Sequence, residues 1–244
     1  KYDESQGSYK IIKNKNYDKI VNEFESFFDE ASSYANSESA EINLKLAAME
    51  AVFSGDKQLF IHAKSTKEII ESIRFAQNYE IKNIVLVSGT GTIDAASFLA
   101  ENNIPVVMQK VHSLPDNEDM EQDLPFRLAK ILNDAGVMVS LSYSSLSSSR
   151  NLAFFAGTVV AYGVPYETAL QMITLNTAKV LGIDKEVGSI SEGKRATLFV
   201  SKGDAFDMRG NALTYIFIDG KKVNLEGEQQ ELYKRYSEKY EEEK

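Results

Sequence analysis

The stretch that decides the fold is NIVLVSG, which runs from residue 83 to residue 89. Its centre is an unbroken run of apolar residues, and a serine and a glycine close it. Three other short runs share this character: LFIHA at 59–63, IPVVMQ at 104–109 and GVMVSLS at 136–142. Such runs are typical of strands that are buried on both faces, as in parallel sheets. We therefore predict four parallel strands that begin near Gln58, Asn83, Pro105 and Val137.

Helical patterns separate the four predicted strands. Ser65 and Glu68 match a capping box at the start of the first helix, and Thr92 is predicted to cap the second. Pro125 suits the first turn of a third helix that ends at Gly136. The alternation predicts four βα units in tandem with right-handed crossovers, which is half of a (β/α)₈ barrel of the TIM type. Chemistry in such barrels lies just past the carboxyl ends of the strands.

The pattern along the chain predicts four segments. Apolar residues at helical spacing from Tyr17 to Phe28, and a second helix from Ala40 to Val52, indicate a helical lead-in. Short strands with an Asp219–Gly220 hairpin signal indicate a small β subdomain, and an acidic helix follows. That last helix is either a solvated tail or an element that packs against another chain. The predicted segments are 1–57 (helical lead-in), 58–182 (half barrel with closing helices), 183–225 (β subdomain) and 226–244 (acidic terminal helix).

Composition excludes several classes of site. The net charge is −9, with 36 acids against 27 bases, which argues against nucleic acid as a partner. The chain has no cysteine, so disulfides, thiolate nucleophiles and cysteine–metal sites are excluded. No apolar run approaches the roughly eighteen residues that a membrane span needs. The sequence opens with KYDESQGSYK, without a Met or a signal-peptide pattern, and we expect a fragment or processed piece of a longer chain.

The region from Asn151 to Asp207, with the strand after it, carries a set of linked motifs. In order they are AGTVVAYGVP, ALQMITLNTAKVLGI, GSISEGKRATLFV and YIFIDGKKV. Together they resemble the C-terminal segment of the amidohydrolase superfamily, in its imidazolonepropionase-like branch. Upstream, FIHAKSTKEI and HSLPDNEDMEQDLPFRLAKILNDAGV are similar to the second half of that family's barrel. The resemblance covers roughly residues 40–225.

The resemblance implies a metal-dependent hydrolase of C–N or related bonds. Such enzymes hold one or two divalent metals (Zn, Fe or Mn), which lower the pKa of a bound water. The ligands come from an HxH pair after strand one, histidines after strands five and six, and an aspartate after strand eight. In this register the four predicted strands are strands five to eight of the barrel.

His62 matches the strand-five ligand position and is the predicted metal ligand; a histidine hydrogen-bonded in a barrel interior is the alternative. Ser88 or Gly89 fills the strand-six position, and neither replaces an imidazole. The stretch GTGTIDAA that begins at Gly89 also suggests a phosphate-cradling turn, but Asp94 stands where the dinucleotide fingerprint needs Gly or Ala. We therefore favour a tight βα turn there.

His112 follows strand seven in VHSLP and is the predicted substrate contact; a surface or packing role is the alternative. The strand-eight aspartate should fall within 142–144, where the chain reads SYS. A serine nucleophile is not supported, because there is no G-x-S-x-G elbow and no histidine near in sequence. We expect that the acid has been lost and that the serines cap a loop or the helix at Asn151. Three more departures from the family are expected to be structural: Thr177, Arg195 and Thr197.

Two hypotheses follow. In the first, the catalytic centre is degenerate, no catalytic residue is assigned, and the chain has a scaffold, binding or assembly role without a metal of its own. In the second, the chain belongs to a working amidohydrolase whose remaining ligands join His62 from an N-terminal half. Because half a barrel leaves two open sheet edges, we expect either that half, from the same precursor or a second chain, or a homodimer. The residues leave the compartment open, and the resemblance favours export.

Overall fold

A computed structural model describes residues 2–3, 8–9, 15–37, 42–116, 118–143 and 145–241. The chain divides into two compact units. The first combines Lys1–Lys57 with Phe75–Asn83, and the second combines Gln58–Arg74 with Ile84–Lys244. The four segments proposed from the sequence stay a prediction.

The first unit is mainly helical. Its elements are the antiparallel pair β1 (Tyr2–Asp3) and β2 (Ser8–Tyr9), and the helices α1 (Tyr17–Ala35) and α2 (Leu44–Phe53). Both predicted helices are present, although the predicted start of the second, Ala40, lies outside the described residues. Phe28 is 3% exposed and anchors the unit, because its ring packs on five others: Phe24, Phe27, Phe53, Phe75 and Tyr79.

The second unit contains a four-stranded parallel sheet in the order β3-β4-β5-β6, with helices between consecutive strands. The predicted tandem βα units are therefore confirmed, and each strand begins close to its predicted position. Every residue of β4 is buried, as its unbroken apolar run predicts. The elements are β3 (Leu59–His62), α3 (Thr66–Asn78), β4 (Ile84–Ser88), α4 (Ala96–Glu101), β5 (Val106–Met108), α5 (Leu124–Asp134) and β6 (Val139–Leu141).

The capping box at the start of α3 is confirmed. The backbone N–H of Glu68 donates to Ser65 Oγ at 3.3 Å, and the Glu68 carboxylate accepts from the backbone N–H groups of Lys64 and Ser65, each at 3.1 Å. These backbone donors lower the pKa of Glu68. The chain is thereby turned sharply from the end of β3 into the helix.

The predicted cap at Thr92 is wrong. Helix α4 begins at Ala96, and Thr92 instead closes a 3₁₀ turn over Thr90–Thr92. Its hydroxyl donates to the carbonyl of Gly89 at 2.6 Å, so it serves the turn and not the helix. The end of α5 follows the prediction: Gly136 has φ +85°, and the N–H of Val137 bonds back to Leu132 at 3.0 Å.

Four helices follow the sheet: α6 (Leu146–Ser149), α7 (Leu152–Ala161), α8 (Tyr166–Ile173) and α9 (Leu175–Val180). Pro165 precedes α8 as predicted, but the helix expected to reach Gly182 is interrupted at Thr174, where φ is −129° and ψ is −89°. Thr177, where the family usually has proline, approaches Ser140 with its hydroxyl 2.7 Å from the serine Oγ. It therefore ties α9 to β6.

The chain then forms a three-stranded antiparallel sheet of β7 (Leu198–Ser201), β8 (Leu213–Ile218) and β9 (Lys221–Lys222), in that order. The hairpin at Asp219–Gly220 is confirmed, with φ of +52° and +76°. The guanidinium of Arg195 donates two hydrogen bonds to the Asp219 carboxylate, at 2.6 and 2.5 Å, and the hydroxyl of Thr197 donates a third at 3.4 Å. Arg195 and Thr197, which both depart from the family pattern, thus hold the hairpin turn.

Helix α10 (Glu228–Glu241) ends the described part of the chain and exposes Tyr233, Tyr236 and Tyr240. Among the helices that the structure describes, none has the length and apolar character needed to cross a membrane.

Candidate functional site at the carboxyl ends of the strands

His62 is the last residue of β3, and its neighbours follow from the strand register. His62 pairs with Val87, Val107 pairs with Val87 on the other side, and Ser140 pairs with Val107. Residues paired across a sheet share a face, so these four side chains form one row. The row therefore offers a single imidazole, two valines and one hydroxyl. His62 is exposed, and its ring forms no hydrogen bond with another residue of the described ranges.

Ser88 does not stand in for a ligand at the strand-six position. It follows Val87 and so lies on the face of the sheet opposite His62. Its side chain is buried, and its hydroxyl donates to the carbonyl of Ala63 at 2.6 Å. This bond joins the ends of β3 and β4. Gly89 adds no donor side chain.

The turn after β4 packs tightly on the turn after β3. A Cβ on Gly91 would lie 1.8 Å from the carbonyl oxygen of Lys64, and the hydroxyl of Thr66 donates to the carbonyl of Gly91 at 3.1 Å. Glycine is needed at position 91 because only a residue without a side chain permits this approach. The contact between these two turns explains why position 91 is glycine. It agrees with the prediction of a tight βα turn after β4.

The strand-eight position carries hydroxyls. The N–H of Ser142 extends the ladder to Met108 at 2.8 Å, and Ser142 and Tyr143 are both half-buried. Ser144 lies outside the described residues. Helix capping by the serines is wrong, since no side chain caps α7 at Asn151 and the hydroxyl of Ser149 donates instead to Leu146 at 2.6 Å. The carboxylate of the family's pattern thus has no equivalent at Ser142 or Tyr143.

The described residues do not fit the family's metal. A protein-bound zinc ion usually takes at least three side-chain ligands. Within the ranges that the structure describes, no three His, Asp or Glu side chains lie close enough together to share a metal ion. In the row of His62, Val87, Val107 and Ser140, only His62 is a usual metal ligand, and the two middle positions are apolar. We therefore derive no chemical step through a metal.

His112 is held in a defined environment. Its Nε2 lies 2.8 Å from the Oγ1 of Thr158 on α7. The ring meets Phe155 edge to face, with centroids 4.6 Å apart, and lies 5.7 Å from the ring of Phe126 on α5. These rings cover part of the imidazole, and this partial burial lowers the pKa of His112. Part of the side chain still reaches solvent.

Sequence reasoning found His112 but missed the residues that hold it. Phe155 and Thr158 are three residues apart on α7 and so lie on one helix face. Tyr143, which follows β6, stacks on Phe155 with centroids 5.0 Å apart. The only sign of them in the sequence was an aromatic residue and a hydroxyl residue spaced i,i+3 on a predicted helix. Nothing in the sequence paired it with a loop 46 residues upstream.

A separate groove of about 830 Å³ lies between α8, α9 and β7. Its lining is mostly apolar and includes Leu170, Ile183, Leu198 and Phe206. Neither histidine lines it. The groove is therefore distinct from the strand-end residues selected from the sequence.

The fold and the strand-end residues define a class of protein. In this class, tandem βα units make part of a parallel barrel, and a small antiparallel sheet follows them. Comparison of the sequence identifies the family. The sequence model of the amidohydrolase family matches residues 14–223, and the chain belongs to that family.

Two relatives illustrate the match. The chain is similar to a 5-methylthioadenosine/S-adenosylhomocysteine deaminase of Moorella thermoacetica, with 26% identity over 70% of this chain and 47% of that protein. A shorter match, 34% identical over 28% of this chain and 11% of the relative, is to adenine deaminase 3 of Rhizobium meliloti.

A solved structure agrees with the sequence comparison. The amidohydrolase from Thermotoga maritima MSB8 superimposes with a TM-score of 0.68 at 29% identity, covering 85% of this chain and 53% of that one. This chain thus spans about half the length of the Moorella thermoacetica deaminase and of the Thermotoga maritima amidohydrolase.

Proposed function

We propose that this chain supplies strands five to eight of an amidohydrolase barrel, together with the small β subdomain and the terminal helix. Two features support the proposal. The four parallel strands follow one another in tandem and are succeeded by an antiparallel sheet, and the match to the Thermotoga maritima structure covers about half of that chain. The remaining strands would come from an N-terminal half in the same precursor, from a second chain, or from a second copy.

Within that barrel we propose a binding or assembly role with a degenerate hydrolytic centre. The observation that carries this proposal is the row of His62, Val87, Val107 and Ser140. Valine side chains on the two middle strands offer no lone pair to a cation, and the next residue of that face on β6, Ser142, is not an acid. A divalent cation (zinc, iron or manganese) at this level would have His62 as its one ligand from the row.

The names of the relatives suggest the ligand class. Proteins named for deamination of 5-methylthioadenosine, S-adenosylhomocysteine and adenine share a recognition target, an amino-substituted purine. The aromatic surroundings of His112 suit such a planar ring. We therefore propose His112 as the substrate-side contact and an aminopurine as the ligand to test.

The alternative is a working amidohydrolase in which His62 meets ligands from the rest of the barrel. One observation favours it: His62 is exposed at the end of β3 and its ring makes no hydrogen bond to the described part of the chain. An imidazole in this state is free to take a metal that other segments hold.

Metal content separates the two proposals. The protein is purified as it occurs, with any partner, and its zinc, iron and manganese are measured beside those of His62→Asn and His112→Asn. The degenerate-centre proposal expects substoichiometric metal in all three. Stoichiometric metal that is lost in His62→Asn, and kept in His112→Asn, would establish the alternative.

Turnover provides a second test. The same preparations are incubated with 5-methylthioadenosine and with adenine, and ammonia release is followed with and without a chelator. The degenerate-centre proposal expects no release above the buffer. Chelator-sensitive release that disappears in His62→Asn would refute it.

A further inference from the structure

The hydrogen bonds around Thr158 determine which nitrogen of His112 carries the proton. The Thr158 hydroxyl has one hydrogen, and its Oγ1 lies 3.1 Å from the backbone carbonyl of Phe154, four residues earlier on α7. A carbonyl oxygen can only accept, so this bond takes the hydroxyl proton. Oγ1 then meets His112 Nε2, 2.8 Å away, through its lone pair. In this arrangement Nε2 is the donor, whereas a hydroxyl that donates to Nε2 would place the ring proton on Nδ1.

We propose that Thr158 fixes neutral His112 as its Nε2–H tautomer and so makes Nδ1 a ready acceptor for a ligand N–H group. The neutral imidazole has one donor and one acceptor nitrogen, and the bond made by one nitrogen sets the role of the other. Thr158 acts here as a positioning residue, and His112 is the group that would touch the ligand. This assignment of the ligand rests on the proposed function; the assignment of the tautomer does not.

The surroundings of the ring agree with a binding role. Among the described residues, Nδ1 of His112 has no hydrogen-bond partner, and the side chain is exposed. Phe155 and Phe126 contact the ring, and Tyr143 stacks on Phe155. An acceptor nitrogen beside aromatic rings suits a planar apolar ligand that carries an amino group. Partial burial also lowers the pKa of His112, which favours the neutral ring.

Nitrogen NMR of the histidine rings tests the tautomer directly. The chain has two histidines, so His62→Gln leaves one ring to assign. At pH 7 we expect the proton of His112 on Nε2 and no proton on Nδ1. Thr158→Val removes the hydroxyl at nearly constant shape, and the ring should become a mixture of both tautomers. Thr158→Ser keeps the hydroxyl and should restore the single tautomer.

A matched control is available on α8. The hydroxyl of Thr174 donates to the carbonyl of Leu170 at 2.6 Å, the same i to i−4 bond, without a histidine beside it. Thr174→Val should leave the His112 signals unchanged. A proton on Nδ1 in the unmodified chain, or an unchanged single tautomer in Thr158→Val, would overturn the tautomer assignment.

Binding of a matched pair of probes tests the ligand assignment. 9-Methyladenine carries an exocyclic amino group, and 9-methylpurine lacks it. We expect 9-methyladenine to shift the Nδ1 signal of His112, and to bind about two-fold more weakly in Thr158→Val, because roughly half of the rings would still present Nδ1 as the acceptor. Equal shifts from both probes, or none from either, would reject the aminopurine ligand and with it that part of the proposed function. The tautomer would then still stand on the NMR pattern alone.

Discussion

The two histidines occupy comparable places and differ in how they are held. His62 ends β3 and is the metal ligand that the sequence predicts, yet its side chain is exposed and makes no hydrogen bond to the described residues. His112 lies in a loop after β5, and a hydroxyl and two aromatic rings hold it. Of the two imidazoles, that of His112 is the one that the surrounding structure orients.

Unlike its side chain, the main chain around His62 is held in place. Around His62 the main chain is fixed by Ser88, which donates to the Ala63 carbonyl, by the approach of Gly91 to Lys64, and by the capping box of α3. The structure thus preserves the position of His62 without orienting its ring. The comparison shows that the main chain around His62 is held by local contacts while its ring is not.

The largest effect is expected for Gly91→Ala. The added Cβ would fall 1.8 Å from the Lys64 carbonyl oxygen, so the two turns must separate. The free energy of unfolding should drop by about 3 kcal/mol or more. Gly89→Ala is the matched control for the clash, because a Cβ added at position 89 would have no atom within 4 Å. Urea denaturation measures both, and equal losses would contradict the close approach.

The next effect is expected for Ser88→Ala, which leaves the buried carbonyl of Ala63 without this 2.6 Å hydrogen bond. Loss of a hydrogen bond from a buried carbonyl lowers the free energy of unfolding by about 1–3 kcal/mol. Ser72→Ala is the control, since that serine lies within α3 and bonds only to the Ile69 carbonyl of its own helix. Its replacement should be close to neutral, as alanine favours helix. A neutral Ser88→Ala would show that the bond does not tie β3 to β4.

Glu68 gives a smaller, pH-dependent effect. Backbone donors lower its pKa in the folded state below the ordinary value of 4.5. A carboxyl group with a lowered folded pKa stabilises the protein above its unfolded pKa, and this stabilisation is lost as the pH falls through the folded value. Unfolding free energies of the unmodified chain and Glu68→Gln should therefore differ most near pH 7 and converge below about pH 4. A difference that does not change with pH would exclude the carboxylate as the capping group.

Features set by residues close in sequence could be predicted, and contacts between distant segments of the chain could not. The strands, the capping box and the hairpin at Asp219 are set by residues close in sequence, and each was predicted from its local pattern. The contacts of His112 with Thr158, and of Gly91 with Lys64, join distant segments, and no local pattern shows them. The helix cap assigned to Thr92 failed because a hydroxyl can serve a turn as readily as a helix.

The smallest effect should come from His112. Burial against Phe155 and Phe126 lowers its folded pKa below the ordinary value of 6.5. The unfolded chain then binds the proton more readily, so stability is highest above pH 6.5 and declines as the pH falls through the folded pKa. We expect the difference in unfolding free energy between the unmodified chain and His112→Gln to decrease from pH 7.5 to about pH 5.

Thr174→Val is the control for this titration, because threonine and valine do not titrate, and its difference from the unmodified chain should stay constant over the same range. If the His112→Gln difference is equally constant, the contacts with Phe155 and Phe126 do not lower the pKa of the ring in the folded protein. The imidazole would then be as loosely held as that of His62, and the contrast between the two histidines would be lost. A difference that declines only when Phe155 is intact, and not in a Phe155→Leu background, would assign the effect to the aromatic enclosure.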